Sequence, residues 1–172
     1  MIRLTVPSVE YAEKILDFKH ELTMADESFS GCSYLEDYED ILTWIEKTKL
    51  HSDPETCPED RTPASTFLAV REEDDRIVGI IDLRHNIKKE ALRVWAGHMG
   101  YSVRPSERRK GYAKEMLRLN LDNARAIGIE KLLLTCNEDN IASEKTILAN
   151  GGVLESIIEV NGKNIKRFWI TL

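Results

Sequence analysis

Residues Arg104–Leu117, RPSERRKGYAKEML, constrain this chain more than any other stretch. Three consecutive cations, Arg108, Arg109 and Lys110, run into Gly111 and then into a helical pattern. A helix N-terminus already carries partial positive charge and unpaired N–H groups, so it favours acidic or hydroxyl residues. Cations there oppose the dipole unless an anion is held among them. Converging N–H groups bind phosphate at helix starts, glycine lets it approach the backbone, and flanking cations neutralise it. A fold that places a strand before and a helix after such a loop is therefore expected. No GxxxxGK[ST] and no GxGxxG occurs anywhere, which argues against an NTPase loop or a dinucleotide-binding turn.

The chain has 172 residues, enough for one domain over 1–172 with a core that needs no staples. Net charge is −6, so the basic residues are a local cluster and nucleic acid is not an expected partner. Cys32, Cys57 and Cys136 are odd in number, far apart and without a CxxC, so neither a disulfide framework nor a metal site is expected. MIRLTV is too short and polar for a signal peptide, and no apolar run could span a bilayer. A cytoplasmic protein without a membrane partner is the expectation.

Hydropathy patterning predicts a strand over 2–6 and a helix opened by Pro7-Ser8, with Val9, Ala12, Ile15, Leu16 and Leu22 on its apolar side. A second helix over 36–50 would bury Tyr38, Ile41, Leu42 and Ile45. The acidic run Glu36, Asp37, Glu39 and Asp40 at its start reads as capping and solvation, or as an attractor for a cationic substrate. Residues 51–65 hold three of the five prolines and read as a long loop. Strands follow over 66–72, 76–84 and 92–103, the last with two interior glycines that suggest a bulge. A helix from Gly111 to Ile127, a strand over 131–136, a helix over 140–152 and a hairpin turning at Asn161-Gly162-Lys163 complete the chain. The fold class is α/β with a mixed sheet (α+β), in the order β-α-α-β-β-β-α-β-α-β-β.

RRKGYA, Arg108–Ala113, matches the [RQ]xxGx[GA] signature of the GCN5-related N-acetyltransferase (GNAT) family. It follows a glycine-containing strand ending YSVRP and opens a helix, as in that family. NEDNIASEKTILANGGV resembles the family's next strand–helix segment. The resemblance covers most of the chain and implies the acyl-CoA N-acyltransferase fold, with central parallel strands 98–103 and 131–136 splayed apart. It implies acetyl-CoA as acyl donor. Its pyrophosphate would be held by the N–H groups of Arg109, Lys110, Gly111, Tyr112, Ala113 and Lys114, with Arg108 flanking. Its pantetheine arm would bond main-chain groups of Tyr101, Ser102 and Val103. Asn140 and Ser143 would touch the arm or the sulfur, although Asn140 reads equally as a helix cap.

Direct attack by a primary amine of a small molecule or peptide, in a ternary complex, is the family's usual route. The amine must lose a proton, the oxyanion needs a donor, and the thiolate gains from protonation. His98 is the base candidate by position and ordinary pKa, with Glu138 or a water as alternatives. The route needs no nucleophile, so Cys136 reads as core. Many members place a tyrosine acid where this chain has Ile147. A non-catalytic acyl-CoA-binding regulatory module, or an unrelated phosphate-ligand protein, is therefore weighed beside the enzyme. Net acidity favours a cationic acceptor such as a polyamine, an aminoglycoside-like molecule or a lysine side chain. A homodimer is left open.

Overall fold

In a computed structural model describing residues 1–172, the chain runs β1 (Ile2–Thr5), α1 (Ala12–Met24), α2 (Ile41–Ser52), β2 (Ala64–Arg71), β3 (Arg76–Arg84), β4 (Tyr101–Val103), α3 (Tyr112–Ala126), β5 (Lys131–Asn137), α4 (Ile141–Leu148), β6 (Val153–Val160) and β7 (Lys163–Thr171). The expected element order holds. Two antiparallel sheets form, ordered β1-β2-β3-β4 and β5-β7-β6. The crossover from β4 through α3 to β5 is the connection that parallel neighbours require. Yet β4 and β5 belong to different sheets, so the chain is split between them.

α1 and α2 cover one face of the first sheet, burying Ile15, Phe18, Leu22 and Trp44 against Leu68, Val70, Ile77 and Ile80. α3 buries Met116, Leu117, Leu121 and Ala124 on the other face and against the second sheet. Asn120 sits in this apolar stripe, fully buried, and satisfies its amide by donating to the Asp82 carbonyl at 3.1 Å. Asp40 caps α2 by accepting from the N–H groups of Leu42 and Thr43. Asn161 and Gly162, both at positive φ, make the tight turn between β6 and β7 that their sequence predicts.

Three expectations differ. Residues 92–103 do not form one strand: Leu92–Ala96 make a π-helical turn, Gly97 takes φ +68, and β4 spans only Tyr101–Val103, although the carbonyls of His98 and Gly100 already accept from the N–H groups of Arg84 and Asp82. Val9, Leu16 and Leu42 face solvent, whereas Phe18 and Trp44 are buried. Trp44 fits the core because its indole N–H donates to the carbonyls of Cys32 and Ser33, which a periodicity count does not register. The long loop is shorter than expected, since α2 continues to Ser52 and β2 starts at Ala64.

Candidate active site

α3 begins without a side-chain cap. Gly111 occupies the cap position at φ +87, and no side chain satisfies the first turn. Arg109 is also left-handed, at φ +63. Alternation of this kind turns successive N–H groups toward one concavity. None of the N–H groups from Arg109 to Lys114 donates to another protein group. A Cβ built on Gly111 would meet nothing within 4 Å, so the space over this concavity is open. The cations around it are partly held by acids: Arg108 bonds Glu27 at 2.5 Å, and Lys110 turns back onto Glu107 at 2.7 Å. The site is an uncapped, anion-accepting helix start whose charge is poised but not discharged.

From this concavity a cleft of about 1030 Å³ runs along the split between β4 and β5. The strand edge is open there for a geometric reason. Asp82 N–H donates to the Gly100 carbonyl and Arg104 N–H to the Val78 carbonyl, on either side of β4, so the main-chain groups of even-numbered residues along 100–104 face β3. By the alternation of antiparallel ladders, Tyr101 and Val103 turn their N–H and C=O groups into the cleft. Ser102 therefore differs from its expected role. Its main chain faces β3, and its hydroxyl donates to the carbonyls of Ser30 and Ser28, pinning that loop across β4. Gly31 meets Gly100 so closely that a Cβ on it would lie 2.0 Å from the Gly100 oxygen.

The floor of the cleft carries a hydroxyl pair. Tyr101 Oη lies 2.7 Å from Ser143 Oγ, bridging β4 to the start of α4. Burial pushes the Tyr101 phenol up to about 12, and pushes the Cys136 thiol up to about 11. A thiol that reluctant to ionise is a poor nucleophile, in keeping with Cys136 as a core residue that also borders the cleft. Asn140 caps α4 by accepting from the Ser143 N–H at 3.0 Å.

The split closes at His98. Its N–H donates to the Leu133 carbonyl at 2.8 Å, and its Nδ1 accepts from the Leu133 N–H at 3.0 Å. The ring is buried and is not part of the cleft wall. With the Nδ1 lone pair engaged, the neutral ring carries its proton on Nε2 and has no free lone pair. Burial, helped by Arg84, holds its pKa below the ordinary histidine value. The expectation that His98 acts as base is corrected accordingly: the ring is a strap joining the two sheets. Glu138 is also off the cleft, accepting from Asn164 Nδ2 at 2.7 Å.

Arg84 and Trp95 also border this cleft. The π-helical turn that carries Trp95 is fastened from two sides. Thr135 Oγ1 donates to the Trp95 carbonyl at 2.6 Å, and Arg167 donates to the carbonyls of Arg93 and Val94. Trp95 itself is 47% exposed. Arg84 Nη1 donates to the carbonyls of Ala96 and Gly97, each at 3.2 Å, and its Nη2 lies 3.2 Å from buried Asp82.

Of the expected ligand-binding residues, Tyr101, Ser102, Val103, Arg108, Arg109, Gly111, Tyr112, Ala113, Lys114, Asn140 and Ser143 all border this one cleft. Lys110 does not; its ammonium is spent on Glu107. Arg84, Trp95 and Glu27 escaped the sequence reading. A tryptophan beside Gly97, where a strand pattern breaks, was the one available signal. The acidic run 36–40 lies outside the cleft, and Asp40 is consumed as a cap. No group of three or more His, Cys, Asp or Glu side chains converges as a metal site, and no helix is long and apolar enough to cross a membrane.

The model of the acetyltransferase (GNAT) family matches residues 28–149. No curated protein sequence matches the chain significantly. Among solved structures, the microcin C7 self-immunity acetyltransferase MccE in complex with acetyl-CoA and AMP is similar at 19% identity and TM-score 0.72, over 99% of this chain and 92% of that one. The spermidine/spermine N-acetyltransferase SpeG of Vibrio cholerae gives 17% identity and TM-score 0.64, over 99% and 95%. YncA of Salmonella typhimurium, solved with its cofactor acetyl-CoA, gives 13% and 0.66, over 99% and 93%.

Proposed function

Since the chain belongs to the GNAT acetyltransferase family, we propose that it transfers the acetyl group of acetyl-CoA to a primary amine by direct attack in a ternary complex. The observation that carries this reading is the run of unused N–H groups from Arg109 to Lys114 over open space, at the mouth of a split strand pair. Those groups, with Arg108 and Arg109, would hold the pyrophosphate. From Val103 back to His98 the strand path spans about 16 Å at ~3.3 Å per residue, a length suited to an extended arm. The cleft-facing main-chain groups of Tyr101 and the N–H of Val103 would bond that arm as a neighbouring strand would, while the Val103 carbonyl already accepts from Arg108 Nε at 3.3 Å. When bound, the group would supply an activated thioester for attack by the amine. The Tyr101–Ser143 hydroxyl pair borders the same channel and offers a hydrogen-bond donor to sulfur. A phenol pushed up to about 12 donates a hydrogen bond readily but gives up its proton poorly to a thiolate of ordinary pKa. Thiolate departure with a hydrogen bond, rather than full protonation, follows from that difference.

The test is calorimetry and melting with acetyl-CoA, then an amine panel scored by released thiol. At a hundredfold excess over Kd, binding stabilises the fold by roughly 2.7 kcal/mol. Absence of any shift at millimolar acetyl-CoA refutes the reading. A second reading, a non-catalytic acyl-CoA-binding module, is favoured by one observation: the acidic side chains that border the cleft, Glu27 and Glu107, are both engaged by cations near the helix start. Binding without thiol release on any amine would select it.

A further inference from the structure

The acceptor end of the cleft has a chemical bias that the family assignment does not supply. Its charged side chain is Arg84, a cation. Both bordering carboxylates lie at the opposite, phosphate-binding end and are already paired, Glu27 with Arg108 and Glu107 with Arg71 and Lys110. An ammonium-rich acceptor would meet no free carboxylate here, and one guanidinium that is paired with Asp82 but keeps a free donor edge.

Arg84 is built to present donors. A guanidinium has five N–H groups in a planar fork. Nη1 is anchored on the Ala96 and Gly97 carbonyls, and Asp82 holds Nη2 from behind. Asp82 is itself fixed, accepting from the Gly100 N–H at 2.5 Å, and is 6% exposed. The Nε and the remaining Nη2 donor have no protein partner, and the side chain is 21% exposed on the cleft wall. Ala96 and Gly97 directly precede His98, where the split closes, so this fork stands next to the point where an acceptor amine must arrive. Trp95 borders the same cleft, half exposed on a turn fastened by Thr135 and Arg167. Three bonds to the carbonyls of Arg93, Val94 and Trp95 fix the backbone of this turn, so the indole is carried on a rigid support at the cleft.

We propose that Arg84 and Trp95 read the acceptor, and that the acceptor is an α-amino acid with a free carboxylate and an apolar or aromatic side chain. This rests on the acetyltransferase reading above. Arg84 binds the carboxylate through its free edge, Trp95 takes the side chain, and the α-amino group points toward the thioester. Capture of the carboxylate also removes its negative field from the neighbouring amine, which favours the free-base form that attacks. In the transfer, the amine nitrogen bonds the acetyl carbon, the carbon–sulfur bond breaks, the thiolate takes the electron pair, and the amine's extra proton passes to water.

Matched acceptors test this with wild-type protein: phenylalanine, phenylalaninamide and 2-phenylethylamine, the leucine counterparts, O-phosphoethanolamine and spermidine. The expected kcat/KM for each acid is at least tenfold above its amide and amine. The amide is the less basic amine and holds more free base at neutral pH, so such a preference cannot arise from basicity. Arg84→Gln should bring the acid-to-amide ratio to about one, and Trp95→Ala should raise KM for phenylalanine with kcat retained. Arg84→Gln strips a buried carboxylate of its partner, so the Asp82→Asn/Arg84→Gln double variant, checked by melting, gives the same comparison in a folded chain. Equal or better use of amides, spermidine or the phosphorylated amine overturns the proposal while leaving the acetyltransferase reading intact. So does acetyl-CoA binding with no amino acid acetylated. Failure to bind acetyl-CoA in calorimetry removes the underlying reading itself.

Discussion

Replacing His98 separates a strap from a base. In His98→Ala the Leu133 N–H, fully buried, loses its acceptor. An orphaned buried donor costs about 1–3 kcal/mol. For a chain of this size each kcal/mol lowers Tm by roughly 2–4 °C. A fall of about 2–12 °C is therefore expected before any loss from the vacated ring volume. His98→Asn puts an amide oxygen near the place of Nδ1 and should recover most of the loss. Acetyl-CoA affinity should weaken in His98→Ala, because the strap sets the closed end of the split, and recover in His98→Asn. The pH profile of kcat should be unchanged in His98→Asn. A general base would contribute about 10²–10⁴ in rate. If His98→Asn melts and binds acetyl-CoA like wild type yet loses a hundredfold in kcat, together with the rise of rate with pH, the strap assignment is wrong. Stability carries a second signature. The native pKa of His98 is held down, chiefly by burial. The unfolded chain takes up a proton near pH 6.5 while the native ring does not, so this contribution is complete above about 6.5 and is lost as pH falls toward the native pKa. His51 and His85 are lowered by burial as well and add in the same direction. Tm should drop from pH 7.5 to 5.5, and less steeply in His98→Asn.

Gly111→Glu should keep the fold, since a Cβ there meets nothing and only the left-handed backbone costs about 1–2 kcal/mol, but acetyl-CoA affinity should fall at least a hundredfold; unchanged affinity in calorimetry would place the phosphate elsewhere. Gly31→Ala should be among the most damaging small substitutions, because its Cβ lies 2.0 Å from the Gly100 oxygen at φ +72. Overpacking of about 1–3 kcal/mol adds to the backbone strain, and a melting curve like that of wild type would contradict the close loop–strand contact.

The uncapped, cation-flanked start of α3 was legible in the sequence because it depends on local chemistry. Arg108, Arg109 and Gly111 sit within four residues, and the uncapped helix follows directly. The Asn161-Gly162 turn was legible for the same reason. The acceptor end was not, because it is assembled from chain that breaks its own pattern. Leu92–Ala96 looks like strand by composition, yet it winds into a π-helical turn held by Thr135 and Arg167 from the other sheet. Arg84 is the last residue of a strand buried between its ends; Asp82, two residues back on the same face, pairs with it locally, but its contacts with the Ala96 and Gly97 carbonyls are tertiary. His98 shows the same limit from the other side: its position suggested chemistry, and its Nδ1 is spent on Leu133, 35 residues away.

The alternation along β4 has a consequence for amide hydrogen exchange. The N–H groups of even-numbered residues such as Arg104 are locked into β3, while those of Tyr101 and Val103 face the cleft. One short strand therefore holds two clocks. Its β3-facing amides exchange only when the sheet opens, and its cleft-facing amides exchange with whatever water the cleft holds. A ligand lying along the split shields the second set directly, and slows the first only as far as it stabilises the sheet against opening. The exchange rates of Tyr101 and Val103, read against Arg104, thus report occupancy of the split independently of the phosphate-binding end and of any turnover.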